Sequence, residues 1–219
     1  MKRTLIVVCL LVTGILFMPS ADAALFQNGS FEIGNNLPSG AADGFNTLNA
    51  GNTDLTGWTI GGDSIDWIGG LWAAADGVRS IDLNGFGPGS ISQTFDTIAG
   101  QTYDVKFMLS GNGYDLPIIK TLIVTGALTF QFDTTSAGYP DPMLWEERSF
   151  NFTAAGSSTT LFFQSTTTTP DFSSIYPGNP FGPALDYVRV SAVPEPSTML
   201  LLGSGLLGLI GYGRRRMKK

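Results

Sequence analysis

Tyr103-Asp104-Val105-Lys106-Phe107-Met108-Leu109 alternates residue by residue. Tyr103, Val105, Phe107 and Leu109 fall on one face and Asp104, Lys106 and Met108 on the other, which is the period of a half-buried strand and not of a helix. The same period recurs on both sides of this stretch. Leu128, Phe130 and Phe132 alternate with Thr129 and Gln131, Phe150 and Phe152 with Ser149 and Asn151, and Leu161 and Phe163 with Thr160 and Phe162. Ile91, Gln93 and Phe95 repeat it more weakly, and Leu185 to Val190 reads as a last strand. Asn84-Gly85, Ala99-Gly100, Asn112-Gly113 and Ala155-Gly156 supply turn chemistry between the runs. Short strands with no helical segment between them predict an all-β fold, an antiparallel β-sandwich over residues 24–192. Gly34 to Leu55 and Thr166 to Pro183, rich in Gly, Pro, Asn and Thr, predict two long loops, and loops of that length carry binding on a sandwich.

The two ends of the chain have a different character. Met1-Lys2-Arg3, the apolar run Leu5–Met18 and then Ala21-Asp22-Ala23 have the three parts of a signal peptide, with signal peptidase cleaving after Ala23. The signal region is expected to be helical. Cys9, the single cysteine, lies inside the apolar run, so the mature chain has no disulfide to stabilise it. At the other end, residues 193–219 read Val-Pro-Glu-Pro-Ser-Thr, an uncharged segment from Thr198 to Gly213, then Arg214-Arg215-Arg216-Met217-Lys218-Lys219. The uncharged stretch is slightly short of the ~20 residues that cross a bilayer as a helix, and glycines are common in such helices. It is read as a single transmembrane helix whose cationic end stays in the cytoplasm.

Seven of the twelve Lys and Arg lie in the signal peptide and the cationic end Arg214–Lys219, but only one of the eighteen acids, Asp22, does. Without those segments the chain keeps five cations against seventeen acids, a net charge near −12. Such a surface excludes nucleic acid, whose binding depends on cationic contacts to phosphate. The chain has no histidine and, once mature, no cysteine. That removes Ser-His-Asp and Cys-His nucleophiles and the usual zinc ligand sets. Among seventeen acids a chance carboxylate pair is expected, so a two-carboxylate glycosidase gains no support, and the chain reads as a non-enzyme.

Pro194-Glu195-Pro196, the apolar segment and the Arg214, Arg215, Arg216 cluster together resemble the PEP-CTERM sorting signal of Gram-negative exported proteins. The resemblance implies an exosortase partner cutting near the Pro-Glu-Pro, export through the inner membrane, and transient anchoring before arrival at the cell surface or outside. It also implies a setting of biofilm and exopolysaccharide.

The body carries an ordered set of motifs. These are Asn28-Gly29-Ser30-Phe31-Glu32, Gly57-Trp58, Ser64-Ile65-Asp66-Trp67-Ile68-Gly69, Gly77-Val78-Arg79-Ser80-Ile81-Asp82-Leu83-Asn84-Gly85, Gly89–Phe95 and Gly182-Pro183-Ala184-Leu185-Asp186-Tyr187-Val188. The set resembles the choice-of-anchor C domain and is similar to a plant cell-wall family of galactose-binding-like jelly rolls. It departs from the pattern at Tyr187, where that family usually has Asn. The resemblance implies a structural calcium joining Glu32 to Asp186, with Asp82 as a weaker third ligand. Calcium takes six to eight oxygen ligands, which this chain can supply. The alternative is that both carboxylates bond backbone amides at strand ends.

Four tryptophans stand in the body. Trp58, followed by alternating Thr59-Ile60, reads as core, and Trp145 beside Glu146-Glu147 reads as cover for a sheet edge. Trp67 and Trp72, in a Gly-rich segment with Asp66, are candidates for stacking on a sugar. The expected function is a non-catalytic glycan-binding module of the envelope or matrix, its partner a polysaccharide. The alternative is a structural surface protein whose sandwich binds other proteins or itself.

Overall fold

The computed structural model describes residues 25–41, 44–125, 128–137, 142–168, 181–194 and 204. The signal peptide with Ala21 and Ala23 lies outside them, as do Glu195, Pro196, Arg214, Arg215 and Arg216 and most of the Thr166–Pro183 stretch. The membrane helix read from the tail also falls outside. Among the described residues no helix is long and apolar enough to cross a membrane.

The strands are β1 (Phe45–Asn49), β2 (Thr59–Gly62), β3 (Ser64–Ile68), β4 (Ser80–Asp82), β5 (Gly89–Asp96), β6 (Thr102–Gly111), β7 (Ile119–Val124), β8 (Leu128–Asp133), β9 (Glu146–Thr153), β10 (Ser158–Ser165) and β11 (Pro183–Ala192). They form a six-stranded sheet ordered β1-β3-β4-β11-β6-β9 and a five-stranded sheet ordered β2-β5-β10-β7-β8. Every pairing is antiparallel. The expected all-β antiparallel sandwich is therefore the observed architecture. The inner faces bring together Ile65, Trp67, Ile81, Val105, Phe107, Leu109 and Leu185 from the first sheet with Ile91, Leu122, Val124, Leu161 and Phe163 from the second, all at most 1% exposed. Full burial of each such side chain is worth ~1.5–3 kcal/mol, and with no disulfide this core holds the domain together.

Gly34 to Leu55 is not entirely loop. Thr47 and Asn49 of β1 lie across from Asp66 and Ser64 of β3, which gives the sheet its first edge. β3 shows no alternation because both of its faces are covered. Trp67 enters the main core, while Ile68 joins Trp72, Met143 and Ala184 in a small second cluster on the outer face of the same sheet.

Candidate functional site

The N-terminal motif builds a knot against the end of β11. Asn28 takes a left-handed backbone (φ 52°), a conformation its side chain tolerates. Its amide donates to the carbonyls of Ile33 (2.9 Å) and Thr56 (2.8 Å), and its Oδ1 accepts from the Ile33 N–H. Trp58 Nε1 donates to the Asn28 carbonyl and Trp67 Nε1 to the Phe31 carbonyl, each at 2.9 Å. Gly29 lies against the Val188 carbonyl so closely that any Cβ there would collide with it.

Glu32 and Asp186 reach from this knot to the loop between β3 and β4. Glu32 Oε1 accepts from the N–H groups of Val78 (2.8 Å) and Arg79 (2.7 Å), and its Oε2 meets Arg79 Nη1 at 2.9 Å. Asp186 Oδ2 accepts from the N–H groups of Ala75 (2.7 Å) and Asp76 (2.9 Å), and its Oδ1 from Tyr187 N–H at 2.6 Å. Ser30 Oγ donates to Asp76, and the indoles of Trp72 and Trp145 donate to Ser80 Oγ and the Ala73 carbonyl. Gly77 sits between the two carboxylates with φ 69°. A Cβ there would strike Glu32 Oε1.

The fastened loop walls a recess of about 430 Å³ lined by Gly40, Gly69, Trp72, Ala73, Ala74, Gly77 and Val78. Its far side comes from the segment before β1, which the Gly69 and Gly70 N–H groups tie down at the Gly44 carbonyl. The glycines bring bare main chain to the wall, and at Gly69 and Gly70 a Cβ would run into the carbonyls of Ser39 and Ala41.

Of the three residues expected at a glycan site, only Trp72 lines this recess, and at 3% exposure, packed with Ile68 and Met143 and bonded to Ser80, its ring has no open face for a sugar. Trp67 is a correction: it is fully buried between the sheets, with no ring face left for a sugar. Asp66, its neighbour on β3, points the other way and accepts from Thr47 Oγ1 at 2.6 Å. Trp58 is core as expected, at 4% exposure.

The three residues expected to bind calcium do not gather around one point. Glu32 and Asp186 face amide donors and a guanidinium, which occupy the positions a cation would need. Asp82 shares no partner with either. Its Oδ1 accepts from the N–H groups of Asn84 (2.9 Å) and Gly182 (3.1 Å), and its Oδ2 from Asn112 Nδ2 at 2.9 Å. Among the described residues no group of three or more His, Cys, Asp or Glu side chains is placed to hold a metal ion. As the side chains stand, Glu32 and Asp186 bond main-chain amides, the alternative weighed for them.

Burial governs the electrostatics. It pushes Asp186 up to about 7 and Asp66 up to about 6. Asp82 rises to about 7, first through burial and then through the charge of Asp66, its cross-strand partner. Lys120, fully buried at the end of β7, is pushed down to about 8 by desolvation. Its ammonium donates to the Asp115 carbonyl, and its stem packs where Gly111 has no side chain, since a Cβ there would be 2.7 Å from Lys120 Cγ. Neither Asp66 nor Asp82 lines the recess, and Asp82 is 1% exposed, so this carboxylate pair cannot reach a bound glycosidic oxygen.

Residues 24–191 match the family described as Protein of unknown function (DUF642), and residues 192–216 match the PEP-CTERM protein-sorting motif. Halomucin of Haloquadratum walsbyi is 32% identical over 157 residues, covering 70% of this chain and 2% of halomucin. The chain thus spans a very small part of that relative. Among solved structures, the module TmCBM61 in complex with β-1,4-galactotriose is similar at 13% identity and a TM-score of 0.42, covering 78% of this chain and 99% of that one. A family 35 carbohydrate-binding module from Clostridium thermocellum is similar at 14% identity and a TM-score of 0.41, covering 68% of this chain and 99% of that one.

Proposed function

We propose that this chain, which belongs to the DUF642 family and ends in a PEP-CTERM sorting motif, is an exported, non-catalytic glycan-binding protein of the cell surface or matrix. The observation that carries this reading is the recess of about 430 Å³ beside Trp72, walled by a loop that Glu32 and Asp186 fasten at separate points. Its size falls within the range of small-ligand sites, and a wall held in place before binding spares the ligand the cost of ordering it. The methyl groups of Ala73, Ala74 and Val78 and the glycine main chain, backed by the buried Trp72 ring, suit the C–H face and hydroxyls of a sugar. None of the described lining residues suits proton transfer or nucleophilic attack, which supports a binder over an enzyme.

Delivery belongs to the ends of the chain. In this reading signal peptidase removes residues 1–23, and the apolar tail holds the chain in the inner membrane with Arg214, Arg215 and Arg216 on the cytoplasmic side. An exosortase then cuts near Pro194-Glu195-Pro196 and leaves the domain outside.

Gly40 provides a clean test, because it lines the recess and a Cβ added there meets nothing within 4 Å. Gly40→Phe should fill the recess without disturbing the fold. Binding of a polysaccharide by the wild-type protein, lost in Gly40→Phe at an unchanged melting temperature, is the expected result. A wild-type protein that binds no polysaccharide would reject the proposal.

A further inference from the structure

We infer that the recess takes a neutral glycan and rejects polysaccharides bearing uronate, sulfate or phosphate groups. This rests on the reading of the recess as a glycan site and narrows its ligand by charge. Anion recognition needs a cation or a set of main-chain N–H groups turned toward the ligand. The domain has five cations, and each is engaged elsewhere. Arg79 is paired with Glu32, Lys106 lies between Asp104 and Glu147, Arg148 pairs with Glu146, and Arg189 pairs with Glu147. The ammonium of Lys120 is buried and bonded to a carbonyl. Only Arg79 is close in sequence to a recess residue, and its partner Glu32 cancels its charge.

Four main-chain donors of the loop are engaged in the same way. A Gly-containing loop with several N–H groups turned to one side could cradle an anion, but here the N–H groups of Ala75, Asp76, Val78 and Arg79 already bond carboxylates of the protein itself. The loop is an anion-binding loop occupied by Asp186 and Glu32. Glu32 and Arg79 cancel, so with Asp76 and Asp186 alongside no net positive charge stands behind the recess wall, in a mature chain whose net charge is near −12. An approaching uronate would meet repulsion without a compensating cation. The described lining that faces outward consists of methyl groups and glycine main chain, which a neutral pyranose can cover at no electrostatic cost.

The test is retention of the full chain, purified in detergent, on immobilised polysaccharides at low ionic strength and again in added salt. The neutral set is galactan, xylan, glucan and mannan; the anionic set is polygalacturonate, alginate and a sulfated polymer. Low ionic strength favours charge-driven binding, so rejection there is the stringent result. The expected outcome is retention on at least one neutral polymer, abolished by Gly40→Phe, and none on the anionic set. Val78 is 60% exposed on the rim, and Val78→Arg should create retention on an anionic polymer that added salt removes. Retention of the wild type on any anionic polymer would overturn the inference and leave the glycan reading standing. No retention on either set would overturn the glycan reading itself, and this inference with it.

Discussion

Glu32 and Asp186, 154 positions apart, fasten the same loop: one holds the N–H groups of Val78 and Arg79, the other those of Ala75 and Asp76. The N-terminal motif and the last strand thereby meet at the wall of the recess. A buried donor left unpaired costs ~1–3 kcal/mol, whereas water can partly replace a partner at an exposed site. The side chain of Glu32 is 29% exposed, and Asp186 is fully buried. Asp186→Ala should therefore destabilise by about 2–3 kcal/mol and Glu32→Ala by about 1 kcal/mol, read as shifts in the urea midpoint. The double variant should lose less than the sum, because releasing either end already frees part of the loop. Strict additivity would mean that the two carboxylates hold independent structures.

The same arrangement decides the response to chelators. Glu32 and Asp186 spend their oxygens on five hydrogen-bonded N–H groups and one arginine ion pair. A calcium ion there would have to displace several of these donors. The melting temperature is expected to be the same in EDTA and in excess calcium. A rise of several degrees with calcium would mean that the loop rearranges to give up its amides.

The strands with one exposed face were legible in the sequence, and those covered on both faces were not. β6, β8, β9 and β10 alternate because solvent meets their outer side. β3 and β4 are hidden under the small cluster around Trp72 and Met143, and every residue of β4 is buried, so no polar alternation marks them. β7 carries Lys120 on its inward face, which breaks the apolar pattern where the pattern should have been clearest. The importance of Glu32 and Asp186 was legible through a resemblance, but their role was not. The amides they bind come from a loop whose path depends on Trp72 finding Ser80 and on Trp145 finding Ala73. Trp67 stood in the same Gly-rich segment as Trp72, and both rings are buried, Trp67 between the sheets and Trp72 in the small cluster on the outer face. Tyr187 also gains a reason. It has φ 47° at the bulge in β11, a conformation Asn adopts readily, and its ring takes the guanidinium of Arg189 at 4.1 Å, which offsets part of the backbone cost.

Stability should fall as the pH rises from about 4 to about 7. Asp66 is raised to about 6 in the folded protein and Asp82 and Asp186 to about 7, against an ordinary value of 3.8 in the unfolded chain. Over that interval the folded state binds more protons than the unfolded state. The contribution of these three groups is complete below pH 4 and lost as the pH passes through 6 and 7. Asp133 and Glu147 are lowered and act in the opposite sense, but both are exposed and contribute little. Urea midpoints taken across this interval should decline toward neutrality, and Asp82→Asn should flatten the decline. A midpoint that climbs from pH 4 to 7 would contradict the burial of these carboxyls.

Gly77 and Gly100 separate the cost of backbone strain from the cost of breaking the clamp. Both have positive φ, 69° and 83°, so alanine at either position pays the ~1–2 kcal/mol of a left-handed residue with a Cβ. At Gly100 the new methyl group meets nothing within 4 Å, and the strain is the whole effect. At Gly77 the methyl group collides with Glu32 Oε1 and must push the carboxylate away from Val78 and Arg79. Two N–H groups and the Arg79 guanidinium then lose their acceptor, adding about 1–3 kcal/mol to the strain. Gly77→Ala should therefore destabilise clearly more than Gly100→Ala in the same urea titration. It should also weaken polysaccharide binding, because Gly77 and Val78 form part of the recess wall, whereas Gly100→Ala should leave binding untouched. Equal losses of stability at the two positions would mean that Glu32 does not hold the loop. Full binding by Gly77→Ala would mean that the clamped wall is not where the ligand sits.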